Sequence, residues 1–269
     1  MPVTPRPPGQ MPDRQFPLIL NTGRIRDQWH TMTRSGKSPR LAGHISEPYA
    51  EINEQDSVAK AIFEDQLVRV KSAYGEIIVR ARISAHQKLG SVFVPMHWSD
   101  QFASQANVGR IVNAFQDPLS GQPEFKHTPV HIEPYHPSWH GFVLSRKKID
   151  THMASYWVRT QRSGLWHYEL AGEQNSTDWA QHSRQLFHDQ DNSEWSELFD
   201  PAQKTYRAAR FIHGHLDSCL FIGQDEKLPP RDWLIELFSQ TELKREDRMR
   251  ILAGSPGAGQ LDAGKTVCS

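Results

Sequence analysis

Cysteine is nearly missing from this chain: of 269 residues, Cys219 and Cys268 alone carry a thiol. Two thiols cannot make a disulfide framework, and such scarcity fits a reducing compartment, so a cytoplasmic location is expected. Net charge is missing too, since 31 lysines and arginines balance 31 aspartates and glutamates. The chain therefore has no global field to attract nucleic acid or an anionic membrane, and any anion must be held by a local patch. No apolar run approaches the ~18 residues that span a bilayer, and no basic segment leads into an apolar core at the N-terminus. A soluble, unexported protein without nucleic-acid or membrane partners is the expectation. Internal repeats are absent as well.

Size sets no limit on the core, because a chain of this length buries roughly three quarters of its unfolded surface. Pro2, Pro5, Pro7, Pro8 and Pro12 mark residues 1–14 as an extended linker, and the glycine-rich stretch 255–269 reads as another. Between them, residues 15–135 are strand-rich. Strands are predicted at Phe16–Asn21, at Gln66–Lys71 and Glu76–Ile83 as a hairpin, at Gly90–Trp98 and at Thr128–Ile132. Asn53 is placed to cap a short helix from Glu54, with Val58, Ala61 and Ile62 on one side. Short strands, turn punctuation and no βαβ spacing argue for a closed barrel over a doubly wound sheet.

Residues 136–254 differ in character. Trp139, Trp157, Trp166, Trp179, Trp195 and Trp233 lie there among polar residues, as anchors of a structural layer. A strand is predicted at Cys219–Ile222 and a helix from Pro230 through Ser239, with Trp233, Leu234, Leu237 and Phe238 as its apolar stripe. A second helix carries Met249, Ile251 and Leu252 and ends at Gly254. His213 and His215 share one strand face without a carboxylate or cysteine partner at metal-binding spacing. His131, His136 and His140 follow no zinc pattern either, so no metal site is expected.

The most informative stretch runs from Leu20 to Arg34, where a short apolar run stops at Gly23 and backbone amides can approach a ligand. Arg24 and Arg26 offer permanently charged forks for phosphate oxygens, and Thr22, Thr31 and Thr33 add hydroxyls. Trp29 and His30 can cover a flat heterocycle. From Asn21 to Ser46 the cations Arg24, Arg26, Arg34, Lys37 and Arg40 face one anion, Asp27.

These residues carry a resemblance. Thr22-Gly23-Arg24 followed by Trp29-His30-Thr31-Met32-Thr33 resembles the cofactor motif in the C-terminal domain of molybdopterin oxidoreductases of the dimethyl sulfoxide reductase superfamily. The likeness is sharper to the assimilatory nitrate reductases of bacteria. It continues through Glu47–Ile52, Leu67–Val70, Val92–Trp98 and Asp117–Lys126, then Tyr168–Gly172, Cys219–Gly223 and Leu252–Gly254.

The resemblance implies a double-psi β-barrel over residues 15–135, followed by a mixed α+β, tryptophan-rich extension over 136–254. It implies bis(molybdopterin guanine dinucleotide) with molybdenum as cofactor, touched by Thr22, Gly23, Arg24, Ile25, Arg26, Asp27, Gln28, Trp29, His30, Thr31 and Lys126. It places His97 and Trp98 near the pterin or the substrate channel. A family asparagine falls on Gly109, with Asn107 or Asn113 as its replacement.

The activity so implied is reduction of nitrate to nitrite by oxygen-atom transfer, in nitrate assimilation. No residue here is expected to be catalytic. The molybdenum ligand and a [4Fe–4S] cluster belong to other domains of the same enzyme, and Val267-Cys268 resembles the opening of a [2Fe–2S] module. The chain then reads as a portion of a longer enzyme, inactive alone, with its other domains, an electron-donor protein and nitrate as partners. Alternatives are the equivalent domain of another such oxidoreductase, for example formate dehydrogenase, or a non-catalytic pterin-binding module.

Overall fold

The computed structural model describes residues 6–162, 164–176, 178–188 and 193–256. The first five residues of the N-terminal linker and residues 257–269, with Cys268 and most of the glycine-rich stretch, lie outside the described residues. The chain forms two compact units. One takes residues 6–136 and 156–162; the other takes 137–155 and the described residues from 164 onward.

In the first unit, the elements are β1 (Leu18–Gly23), α1 (Pro39–His44), β2 (Tyr49–Ile52), α2 (Glu54–Ala59), β3 (Leu67–Lys71), β4 (Glu76–Ile83), β5 (Ser91–Pro95) and β6 (Thr128–Pro134). The strands close into a barrel in the order β1-β5-β2-β4-β3-β6. β1 pairs with β5 and β2 with β4 in parallel, whereas the remaining neighbours are antiparallel. Period-two side chains fill it: Leu18 and Leu20 from β1, Val68 and Val70 from β3, Val92 and Val94 from β5, all buried. This closed barrel is the architecture expected for the region.

Local chemistry explains where the elements begin and end. β1 starts two residues later than the apolar run suggested, because Asp13 Oδ1 takes the Gln15 and Phe16 amides into a turn and Pro17 has no N–H to offer the ladder. Asn53 caps α2 through the Gln55 amide at 2.8 Å. The expected stripe on that helix does not form: Ser57 faces inward and Val58 is exposed. α2 ends at Ala59, and Ala61 at φ 53° turns the chain so that Ile62 is buried from beyond the helix. β5 is likewise shorter than its apolar run and ends at Pro95, leaving His97 and Trp98 past the strand.

The second stretch of chain contains β7 (Trp139–Ser145), β8 (Tyr156–Arg162), β9 (Leu165–Gly172), α3 (Trp179–Leu186), β10 (Ser193–Asp200), β11 (Thr205–Ile212), β12 (His215–Gly223), α4 (Asp232–Leu237) and α5 (Arg245–Ala253). β8 belongs to the first unit, where Tyr156 donates to Glu47 at 2.8 Å and Arg80 pairs with the same carboxylate at 3.0 Å. In the second unit β10, β11, β12, β7 and β9 lie side by side in that order, each antiparallel to the next. Apart from β12, which covers Cys219–Ile222, these strands carry no sequence signal read above. In β7 and β9 the reason is burial on both faces, every residue of β7 being buried, so the alternation that marks a half-exposed strand is absent; β10 has no buried residue and lacks the alternation for the opposite reason.

A core of Phe142, Leu144, Phe211, Cys219, Phe221, Leu234 and Ile251 joins the sheet to α4 and α5. Phe142 stacks on Phe221 with ring centroids 4.7 Å apart. The expected stripe Trp233, Leu234, Leu237 and Phe238 is buried, though α4 is shorter than the expected span Pro230–Ser239; in α5 Ile251 is buried and Met249 exposed, and Gly254 at φ 68° ends the helix. His213 and His215 do not share a strand face, because His213 (φ 50°) and Gly214 (φ 79°) make the two-residue turn of the β11–β12 hairpin. Trp139, Trp179 and Trp233 are buried, the first two in edge-to-face contact at 5.1 Å.

Candidate cofactor site

β1 delivers the chain to Gly23, and from there to Arg34 it follows an irregular loop that a 3-10 turn at Ser35–Lys37 closes into α1. Residues just past β5 hold its start: Met96 N–H donates to the Gly23 carbonyl at 2.9 Å, and Ile25 N–H donates to His97 Nε2 at 2.9 Å. His97 Nδ1 lies 2.6 Å from the His30 carbonyl. Inside the loop Ser35 Oγ accepts the Trp29 amide at 3.2 Å and donates to Gln28 Oε1 at 2.7 Å. Met32 is buried beneath, and both His30 (φ 45°) and Met32 (φ 62°) sit in the left-handed region. A non-glycine residue occupies that region only where its surroundings impose it.

The outer face of the loop is cationic and flat. The Arg24 guanidinium lies 5.4 Å from the centre of the Trp29 ring, which meets His30 edge-on at 4.6 Å and is half exposed. The fold brings Lys126 here from more than a hundred positions away in the chain. A Cβ placed on Gly23 would sit 3.9 Å from Lys126 Nζ, an ordinary contact, and 3.2 Å from the Phe93 ring, a tight one, so Lys126 lies close beside the bare backbone of Gly23. Arg24, Arg34, Lys37, Arg40 and Lys126 are exposed and have no acidic partner among the described residues. Arg26 instead pairs with Asp27 at 3.0 Å, and His44 reaches the same carboxylate at 3.0 Å. The Arg26 hydrogen bond, helped by His44, holds the Asp27 carboxyl below its ordinary range.

The remaining expected residues divide by burial. Thr22 and Gln28 are buried, yet Thr22 Oγ1 and Gln28 Nε2 have no hydrogen-bond partner among the described residues. Thr31 and Thr33 are exposed. His97 and Trp98, expected beside the cofactor, are fully buried under the loop, and both ring nitrogens of His97 already serve backbone groups. Burial pushes the His97 imidazolium down, with the Arg24 and His30 charges adding to it against the His30 carbonyl. Asn107 caps the 3-10 turn Val108–Arg110 through the Gly109 amide at 3.1 Å. Asn113 is buried, and its amide group meets the His127 carbonyl at 2.8 Å and Thr128 Oγ1 at 3.1 Å while its Oδ1 accepts the Phe115 amide at 2.9 Å. Its amide hydrogens are taken up within the protein. The clamping role of His97 leaves no local pattern in the sequence, since both of its partners lie on another segment, and of the partners of Asn113 Phe115 alone is local.

The donor set fits an extended dianionic ligand with flat ends. Bare backbone at Gly23, an unsatisfied buried hydroxyl on Thr22, unpaired cations at Arg24 and Lys126 and an exposed indole are the groups that recognise a pyrophosphate and its attached heterocycles. Among the described residues no group of three or more histidine, cysteine, aspartate or glutamate side chains is placed to hold a metal ion.

Comparison with known proteins agrees with this geometry. The family described as Molydopterin dinucleotide binding domain matches residues 18–129. Nitrate reductase of Klebsiella oxytoca is 36% identical over 269 residues, all of this chain, which spans 30% of that protein's length. Assimilatory nitrate reductase catalytic subunit of Bacillus subtilis is 34% identical over 134 residues, half of this chain and 18% of that protein. The F420-dependent formate dehydrogenase subunit alpha of Methanocaldococcus jannaschii is 39% identical over 132 residues, 49% of this chain and 19% of that protein. The barrel thus matches the molybdopterin dinucleotide-binding domain over residues 18–129, and the chain is similar along its whole length to a nitrate reductase of which it spans 30%.

Proposed function

We propose that this chain is the cofactor-binding portion of a molybdenum nitrate reductase that converts nitrate to nitrite in cytoplasmic nitrate assimilation. The observation that carries this reading is the reach of the similarity. The formate dehydrogenase match covers 132 residues, 49% of the chain, and the Bacillus subtilis nitrate reductase match is about as long, whereas the Klebsiella oxytoca nitrate reductase match covers all 269 residues and so both units. When bound, the pterin-held molybdenum supplies the two-electron oxygen-atom transfer that side chains cannot perform. The residues here bind and orient. Arg24 and Lys126 donate charge-assisted hydrogen bonds to the pyrophosphate arms, Thr22 adds a hydroxyl, and Trp29 with His30 covers a ring. Iron–sulfur clusters, an electron-donor protein and the other domains of the enzyme complete the reaction, and turnover is not expected from these residues alone.

Replacing Arg24 by Ala in the whole enzyme tests the reading. A lost charge-assisted hydrogen bond weakens binding by about 1.5–3 kcal/mol, so molybdenum and guanine nucleotide content should fall while the melting temperature stays within a degree or two. Equal cofactor content in parent and variant would count against the assignment. A second reading, formate oxidation, draws on the 39% identity to formate dehydrogenase over 132 residues.

A further inference from the structure

His97 has no exposure to solvent, and its ring bridges two points of the loop that frame Arg26–Trp29. To accept the Ile25 amide on Nε2 and donate to the His30 carbonyl from Nδ1, the imidazole must be neutral and carry its proton on Nδ1. Desolvation favours that neutral form. The bridge also spans the residue whose backbone is most unusual here, since His30 holds φ 45° at one end of it. Neither Ile25 N–H nor the His30 carbonyl has another recorded partner among the described residues, so without the ring both lose their hydrogen bond.

We infer that His97 is a positioning residue: it does not touch the ligand, but shapes the Arg24–Trp29 turn before the ligand arrives. This rests on the pterin-dinucleotide reading of the same loop. Pre-shaping matters because a loop ordered only on binding gives up affinity to conformational entropy.

The test uses the full 269-residue chain, with GDP as a probe of the dinucleotide arm. Three readouts are taken on the parent, His97→Leu and His97→Gln: ¹⁵N chemical shifts of the His97 ring, hydrogen exchange of the Ile25 amide, and GDP affinity. The parent should show the neutral Nδ1–H tautomer. In His97→Leu, Ile25 exchange should rise and GDP affinity should fall, each by roughly tenfold, the scale of one lost buried hydrogen bond. Gln carries one donor and one acceptor and should restore both. An Nε2–H tautomer in the parent, unchanged Ile25 exchange in His97→Leu, or raised exchange with unaltered GDP affinity would each overturn the inference. If the parent itself fails to bind GDP while Ile25 exchange still responds, the clamp stands as structure. The cofactor reading then fails, and the positioning role with it.

Discussion

Cys219 lies on β12 with no exposure, and burial pushes its thiol up to about 12. A thiol held protonated in the native state and free to ionise from about 9 in the unfolded chain makes stability fall as pH rises between those values. It should also resist Ellman's reagent at pH 8 until denaturant is added; rapid labelling of Cys219 in the folded chain would contradict this. His97 works on the acid side. Its native pKa lies below the 6.5 of a free histidine, so the unfolded chain takes up a proton first and stability falls as pH drops below 6.5. Urea midpoints from pH 7.5 to 5 should decline more steeply in the parent than in His97→Gln. Parallel curves would show that His97 does not contribute. Arg24, Trp29 and Lys126 could be read as candidates from residue chemistry and the surrounding motif. The unsatisfied Thr22 hydroxyl and the pairing of Asp27 with Arg26 and His44 could not, because burial and partner choice are tertiary properties.

At the scale of elements, the segment between Asn113 and β6 carries Lys126 and has almost no regular structure of its own. Asn113 ties its two ends, meeting the His127 carbonyl, Thr128 Oγ1, Glu124 Oε2 and the Phe115 amide, while Asp117 holds the turn between them through the Leu119 and Ser120 amides. Asn113→Ala takes this partner from the His127 carbonyl and the Phe115 amide, at about 1–3 kcal/mol for each that stays buried, while Thr128 Oγ1 keeps the backbone amide of residue 113 and Glu124 Oε2 keeps the Gly9 amide. The expected outcome is a melting temperature several degrees lower and faster exchange of the Phe115 amide, with no gain of helix or strand. A Phe115 amide protected as in the parent would show that the segment is ordered by something else. In the second unit Gly172 is constrained by shape rather than by backbone angle, since a Cβ there would lie 2.4 Å from the Trp139 indole. The hairpin of β3 and β4, the capped helix α2 and the glycine stop of α5 were legible because each is specified within a few residues. β7 and β9 were not, because strands buried on both faces lose their period-two signature.

On the scale of the whole molecule, each unit has its own device for holding charge out of water. In the barrel unit, Glu47 is shared by Arg80 and Tyr156. In the other, the buried Glu169 accepts two bonds from Arg231, at 2.9 and 2.8 Å, and one from His167 at 2.7 Å. Burial alone would raise the Glu169 carboxyl, but the Arg231 charge and His167 outweigh it and hold the group ionised well below its ordinary range. The units also differ in what they say about activity. Relatives named for nitrate and for formate each match about half of the chain, whereas the nitrate reductase of Klebsiella oxytoca matches its whole length, second unit included. The complete enzyme should therefore reduce nitrate with a viologen donor and leave formate unoxidised. Formate-dependent dye reduction without nitrate reduction would reverse the assignment.

Residue chemistry near Gly23, local turns and the likeness of whole motifs pointed to a pterin-binding barrel before any coordinate was known, because those properties reside in short stretches of chain. Closure of the barrel decided what short stretches cannot specify. It set Lys126 beside Gly23 and placed His97 under the loop as its brace rather than on its surface. Both outcomes depend on the pairing of β1 with β5 and β6, contacts between segments far apart in the chain whose geometry exists only once the sheet has closed.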